Sequence, residues 1–458
     1  MKKFLASIIA VVLAVSGLSV ISITANAATI FINGNYEYTV NSDDTVNIAG
    51  YNGVATDITI PSQILNKNVV KISANSFYNN STLTSVKIPN TIKVVGSMAF
   101  YGCKNLSSVT LPNTLTEIGY SAFDGTTALT TITIPKTVTK AGNDVFEDSG
   151  LKTATIENGA TAVADNLFSN AKNLTKVTIP NTVKKVGSMS FYGCTKLSSV
   201  TLPNTLTEIG YSAFDGTTAL TTITIPKTVT KAGNDVFEDS GLKTATIENG
   251  ATTVADNLFS NAKNLTKVTI PNTVKKVGSM SFYGCKSLSS VTLPNTLTEI
   301  GYSAFNGTTA LTTITIPKTV TKAGNDVFED SGLKTATIEN GATAVADNLF
   351  SNAKNLTKVT IPNTVKKVGS MSFYGCKSLS SVTLPNTLTE IGYSTFNGTT
   401  ALTTITIPKT VTKAGIDVFE DSALKTATIE NGATTVADNL FSNAKNLTKV
   451  TIPNTVKK

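Results

Sequence analysis

The sequence predicts a repeat solenoid, a chain wound into many similar coils whose β-strands stack in parallel from coil to coil. Three observations predict it. Long blocks recur with a period of 91 residues, so that 153–243 and 244–334 are nearly identical. Inside each block, phenylalanines fall every 22 or 23 residues, 17 of them from Phe77 to Phe441. Each short unit opens on an apolar–polar alternation, as in Val109-Thr110-Leu111, which Pro112 then closes. Alternation with period two marks a strand with one buried face. Proline ends it because it cannot donate to a ladder.

A unit of about 23 residues cannot bury its own apolar face, so neighbours must stack. One block holds four units, 108–130, 131–152, 153–175 and 176–198. Aligning them superimposes Phe100, Phe123, Phe146, Phe168, Phe191 and Phe214 in one inward column, beside a leucine column and a Val/Ile column. Strands of successive coils lie ~4.8 Å apart, so 17 coils make a rod on the order of 80 Å long. Short turns or short helical segments are expected to join the strands.

The elements follow in order. Lys2 and Lys3, the apolar run from Phe4 to about Ile23, and Ala25-Asn26-Ala27 read as a secretory signal peptide over residues 1–27. Its length approaches a membrane span, but the small residues favour cleavage after Ala27. Residues 28–55 are expected to form an N-terminal β-hairpin cap that turns at Asn41-Ser42-Asp43-Asp44. The solenoid takes 56–458, with an extra loop expected around Leu65-Asn66-Lys67-Asn68. The unit IENGATAVADNLF (156–168) lacks the proline after the strand and the glycine that stands at 119, with Ala164 in its place, and a looser turn is expected there. The last unit is incomplete, because TIPNTVKK (451–458) elsewhere continues into VGSMSFYGC. Truncation is the favoured reading of that end; fraying or end-to-end association of an uncapped edge is the alternative.

Composition narrows function. All 38 basic residues are lysine, against 30 acidic ones, and arginine, histidine and tryptophan are absent. Histidine is the commonest general base and metal ligand, and arginine the usual clamp for phosphate and carboxylate. No enzyme and no cofactor is therefore expected. Removing Lys2 and Lys3 lowers the net charge from +8 to +6. That excess suits weak attraction to anionic wall polymers or host glycans. No basic run or aromatic–basic stripe argues for nucleic acid, and no segment after the leader is apolar enough to insert in a membrane.

The four cysteines, Cys103, Cys194, Cys285 and Cys376, stand 91 residues apart. Four coils separate consecutive ones, ~20 Å by the strand spacing. A disulfide needs α-carbons within roughly 7 Å. Cys103 also aligns with the small residues Thr126, Ser149 and Ala171. Four buried free thiols are expected, with no metal site.

The unit written L-x-x-V-T-I-P-x-x-V-x-x-I-G-x-x-A-F-x-G-C-x-x-L resembles the BspA-like leucine-rich repeat. Leu106 through Leu129 (LSSVTLPNTLTEIGYSAFDGTTAL) matches it except at the cysteine, and the resemblance covers about 56–458. It implies a bacterial secreted or cell-surface protein that adheres to host matrix proteins, epithelium or other bacteria.

Candidate contacts are a tyrosine pair per block: Tyr101 and Tyr120, Tyr192 and Tyr211, Tyr283 and Tyr302, Tyr374 and Tyr393. Tyrosines are favoured contact residues, and repeated pairs could bind an extended partner multivalently. The competing reading is that they shield the coil edge. A Glu117–Lys140 pair on adjacent coils is expected to be a solvated contact worth ~0–1 kcal/mol. Asp144, Glu147 and Asp148 lack a calcium-loop spacing and read as exposed acids. The function expected is an extracellular adhesin or matrix-interaction module that binds proteins or glycans through Thr, Asn, Lys and Tyr side chains of one face. A structural spacer or decoy is the alternative.

Overall fold

The computed structural model describes residues 29–457, so the leader and its cleavage site lie outside the described residues. Phe31–Asn33 (β1), Tyr36–Val40 (β2) and Val46–Tyr51 (β3) form an antiparallel meander. The Asn41 N–H closes the β2–β3 turn on the Thr45 carbonyl at 2.8 Å. β3 then pairs in parallel with Lys67–Ile72, which lays the meander against the first coil. Around Leu65 the structure departs from the expected loop. Gln63–Ile64 and Lys67–Ile72 are an antiparallel hairpin, and Leu65 (φ 50°) and Asn66 (φ 66°) form its two-residue turn. Two left-handed residues in succession match the right-handed twist of the flanking strands.

Beyond this point each coil has three sides. The first carries the longer strands, such as Ser108–Thr110, Thr131–Ile134, Thr153–Ile156 and Lys176–Thr178. Along Thr131–Ile134 the isoleucines are buried and the threonines exposed, the alternation seen in the sequence. Pro135 ends the strand, and the Thr137 hydroxyl fastens the turn by donating to the Leu115 carbonyl at 2.6 Å. The second side carries two-residue strands, among them Glu117–Ile118, Lys140–Ala141, Ala162–Val163 and Lys185–Val186. Gly119 sits at the end of this side, where a Cβ would collide with the backbone of Ser97.

The third side holds no strand, and the described residues contain no helix. Its turns nevertheless make a ladder. The N–H groups of Met98, Phe100 and Gly102 donate to Tyr120, Ala122 and Asp124 of the next coil at 2.7–2.8 Å. Met98 (φ 53°) and Gly102 (φ 66°) are left-handed. These reversals point alternate N–H groups along the coil axis, so a segment that is neither strand nor helix still meets its hydrogen bonds.

The core is one continuous column. Phe77 through Phe441 stack ring on ring, with centroids 4.9–5.9 Å apart. Phe100, Phe123, Phe146, Phe168, Phe191 and Phe214 are all fully buried. Tyr51 extends the column, 5.4 Å from Phe77, and Tyr36 extends it again, 5.1 Å from Tyr51. The architecture is a parallel β-solenoid of about 18 turns.

Candidate functional site

The outward side chains of the first side form two ranks. One is unbroken threonine from Thr110 through Thr133, Thr155 and Thr178 to Thr451. The other repeats Ser108, Thr131, Thr153 and Lys176 in every block. Parallel register sets both, since Thr131 faces Thr153 and Thr153 faces Lys176 on successive coils.

This side is not one sheet. Ser108–Thr110 does not pair with Thr131–Ile134, and the same seam recurs before Thr222–Ile225, Thr313–Ile316 and Thr404–Ile407. A hollow of about 540 Å³ lies over the first seam, lined by Ser108, Thr110, Asn113, Thr131, Thr133 and Glu157 among others. Equivalent hollows of about 500, 500 and 480 Å³ lie over the next three. Serine and threonine make up about half of each lining, beside Val, Leu, Ile and Pro. The carboxylate at its edge is engaged, since Glu157 accepts the Lys136 backbone N–H at 3.0 Å. This arrangement can hydrogen-bond a polar chain laid along the rod. Threonine and lysine of this face are legible in the sequence, but no residue type marks the seams.

The tyrosines lie elsewhere. Tyr120 is on the third side, where its carbonyl accepts the Met98 N–H. Tyr120, Tyr211, Tyr302 and Tyr393 are 45–50% exposed, whereas Tyr101, Tyr192, Tyr283 and Tyr374 are half-buried. Tyr101 stacks on Tyr78 at 5.0 Å. The negative charge of Asp124 beside it raises its phenol above the usual range.

The cysteine thiols are buried and free. Cys103 Sγ donates to the Phe77 carbonyl at 3.0 Å, and Cys194, Cys285 and Cys376 repeat that contact at 3.1 Å. Burial pushes the Cys103 thiol up to about 12, and it pushes the other three up as well. Such thiols are poor nucleophiles.

The acidic residues of 143–150 are held by the next coil. Asn170 donates to Asp144 at 3.0 Å, and Lys172 lies 3.4 Å from both Glu147 and Asp148. Among the described residues, no group of three Cys, Asp or Glu side chains could hold a metal ion. Half-buried Asp124 faces this cluster. Burial, then the charges of Glu147 and Asp148, raise its carboxyl to about 6, and Asp215 behaves alike in the second block. In the third and fourth blocks asparagine stands there instead: Asn306 donates to Glu329 at 3.1 Å and Asn397 to Glu420 at 2.9 Å.

On the second side Glu117 faces Lys140 in register, yet among the described residues the ion pairs run the other way. Lys185 reaches forward to Glu208 at 3.1 Å, as do Lys276 to Glu299 and Lys367 to Glu390 at 3.0 Å. Glu117 has Val94 on the preceding coil, so it lacks that partner.

Among the described residues no helix is long and apolar enough to cross a membrane. No curated protein matches the chain in sequence. Solved structures do. A leucine-rich repeat protein from Bacteroides ovatus ATCC 8483 is 24% identical with a TM-score of 0.53, the match covering 92% of this chain and 99% of that one. A leucine rich cell surface protein from Faecalibacterium prausnitzii A2-165 is 28% identical with a TM-score of 0.39, over 73% and 95% of the two chains. The pneumococcal vaccine antigen PcpA is 18% identical with a TM-score of 0.29, over 94% and 93%. The family described as "BspA type Leucine rich repeat region (6 copies)" matches residues 54–175, 161–288, 252–356 and 343–458. Coils of 22–23 residues on a phenylalanine column and a family match across nearly all of the described residues lead to one conclusion: the chain belongs to the BspA type leucine-rich repeat family.

Proposed function

We propose that the protein is an extracellular binding module, secreted or held at a cell surface, that engages a macromolecular partner multivalently through the first side of its coil. The observation that carries this reading is the fourfold recurrence of the hydroxyl-lined hollow, one per 91-residue block. Identical sites fixed on one rod raise avidity without any new contact, provided that the partner spans them. The sequence signal at residues 1–27 and the family resemblance support the extracellular location and the adhesive role.

Deleting residues 153–243 tests it, because removal of one whole block keeps the coil in phase. The intact and shortened proteins are compared, after signal removal, on arrays of matrix proteins, mucins and wall polymers. A multivalent binder loses avidity on deletion. A spacer shortens and binds nothing on any array, and that outcome overturns the reading.

A further inference from the structure

We propose that the first side is a docking track for an extended anionic polysaccharide. The inference rests on reading this side as the binding face, and it names the partner's chemistry. Lys176 stands in the outward rank of Ser and Thr. Its backbone N–H donates to the Lys152 carbonyl at 3.2 Å, so Lys152 lies diagonally from it on the preceding coil, one residue before its register partner Thr153. The pair recurs as Lys243 and Lys267, Lys334 and Lys358, and Lys425 and Lys449, with the same backbone bond at 3.1–3.3 Å. All eight side chains are exposed, and among the described residues none of them forms an ion pair. Other lysines are committed: Lys172 to Glu147 and Asp148, Lys185 to Glu208.

On their own face the two charges of a pair meet one acid per block, Glu157 at the edge of the hollow, which accepts the Lys136 backbone N–H rather than a lysine ammonium. From Ser85–Lys87 onward the strands of this side contain no acidic residue. The acids Asp124, Asp144, Glu147 and Asp148 belong to the third side. Along the rod the pattern is therefore hollow, lysine pair, hollow, lysine pair, with one of each every four coils, ~19 Å by the strand spacing. A chain that fits presents hydroxyls to the hollows and anionic groups to the lysines. Sugar acids and sulfated sugars carry both. A single-stranded nucleic acid carries the charge, but its bases need aromatic or arginine platforms. The strands of this side offer neither after Ser85.

The mature protein is titrated with polygalacturonate, heparin, neutral dextran and poly(dT). Two variants carry the same change in net charge. The track variant is Lys176→Glu, Lys267→Glu, Lys358→Glu and Lys449→Glu. The control is Lys93→Glu, Lys184→Glu, Lys275→Glu and Lys366→Glu, all exposed and adjoining the second side. Circular dichroism checks that both fold. The expected result is binding of the two anionic polysaccharides and not of dextran, weakened as ionic strength rises above about 0.1 M. The track variant should lose roughly tenfold or more of that affinity and the control little, as expected for multivalent contacts. Equal loss in both variants overturns the track, because net charge alone would then act. Tighter binding of poly(dT), or equal binding of dextran, overturns the polysaccharide. If deleting residues 153–243 weakens capture of a protein partner while neither polyanion binds, the multivalent reading stands and this inference fails.

Discussion

At the residue scale, near-identity between blocks turns the molecule into its own mutant series. Ser190, Ser281 and Ser372 are buried, and their hydroxyls have no hydrogen-bond partner. The first block holds Ala99 at that place, equally buried. A buried hydroxyl without a partner costs about 1–3 kcal/mol. Ser190→Ala should therefore stabilise by about 1 kcal/mol, and the triple alanine variant by a multiple of that, read from urea midpoints at constant slope. An unchanged or lowered midpoint would mean that the hydroxyl does find a partner. Asp124 and Asp215 form a second series against Asn306 and Asn397. The groups facing Asp124 are Glu147, Asp148 and Asp144 on the next coil and Tyr101 on the one before, while Lys172 is bound to Glu147 and Asp148. Asp215 faces Glu238, Asp239 and Asp235 in the same way, with Lys263 on Glu238 and Asp239. Both carboxyls titrate near 6 when folded, against about 3.9 when unfolded. The folded state then holds the proton more tightly, so stability from these groups grows as pH falls through 6 and is complete below about 4. The Asp124→Asn, Asp215→Asn double variant should be more stable than the natural protein at pH 7.5. Its advantage should vanish towards pH 4, and a difference that stays flat with pH would refute the pairing.

At the element scale, the sequence announces strands through alternation and ends them with proline, and both signals are local. The Thr-Ile-Thr-Ile strands and the meander turn at Asn41 are legible for that reason. The third side is not, because its order comes from hydrogen bonds between coils 22 residues apart. No alternation marks such a ladder, and left-handed Met98 or Ser121 is not a residue choice that signals a turn. The two strand-bearing sides also break at different coils. The first side opens before Thr131–Ile134, and the second between Lys140–Ala141 and Ala162–Val163. The second break adjoins the unit 153–175, which lacks the proline after the strand, although its turn is closed by the Ala160 N–H on the Glu157 carbonyl at 3.2 Å as the other turns are; the first break has no marker in the sequence. Staggering means that each seam on one side is bridged by paired strands on the other. At the Leu65-Asn66 turn a loop is expected where the chain makes a hairpin, because leucine is a poor choice for a left-handed position. Leu65 is 66% exposed there and packs little. Leu65→Asn should stabilise by about 0.5–1 kcal/mol, since asparagine tolerates this conformation. Calorimetry checks it, and a lowered transition would show that Leu65 packs in solution.

At the scale of the whole molecule, stability is a sum over coils and the interfaces between them, as in any quasi-one-dimensional repeat. The period itself was legible because phenylalanine spacing survives in every unit, whereas the Tyr36 and Tyr51 extension of the stack depends on how the meander docks. Each interior ring has a neighbour on both sides, and Phe237 lies 5.5 Å from Phe214 and 5.8 Å from Phe259. Phe237→Ala should remove about 3–5 kcal/mol, as truncation of a fully buried phenylalanine does. In a globule that loss lowers one cooperative transition. In a rod it falls on a single junction, so the coils on either side should uncouple and calorimetry should resolve two transitions. Phe77→Ala, next to the meander, should instead fray one end and leave the main transition in place. If both variants melt in one transition with equal loss, the coils are coupled over longer range than nearest neighbours, and the additive picture of the solenoid's stability would have to be given up.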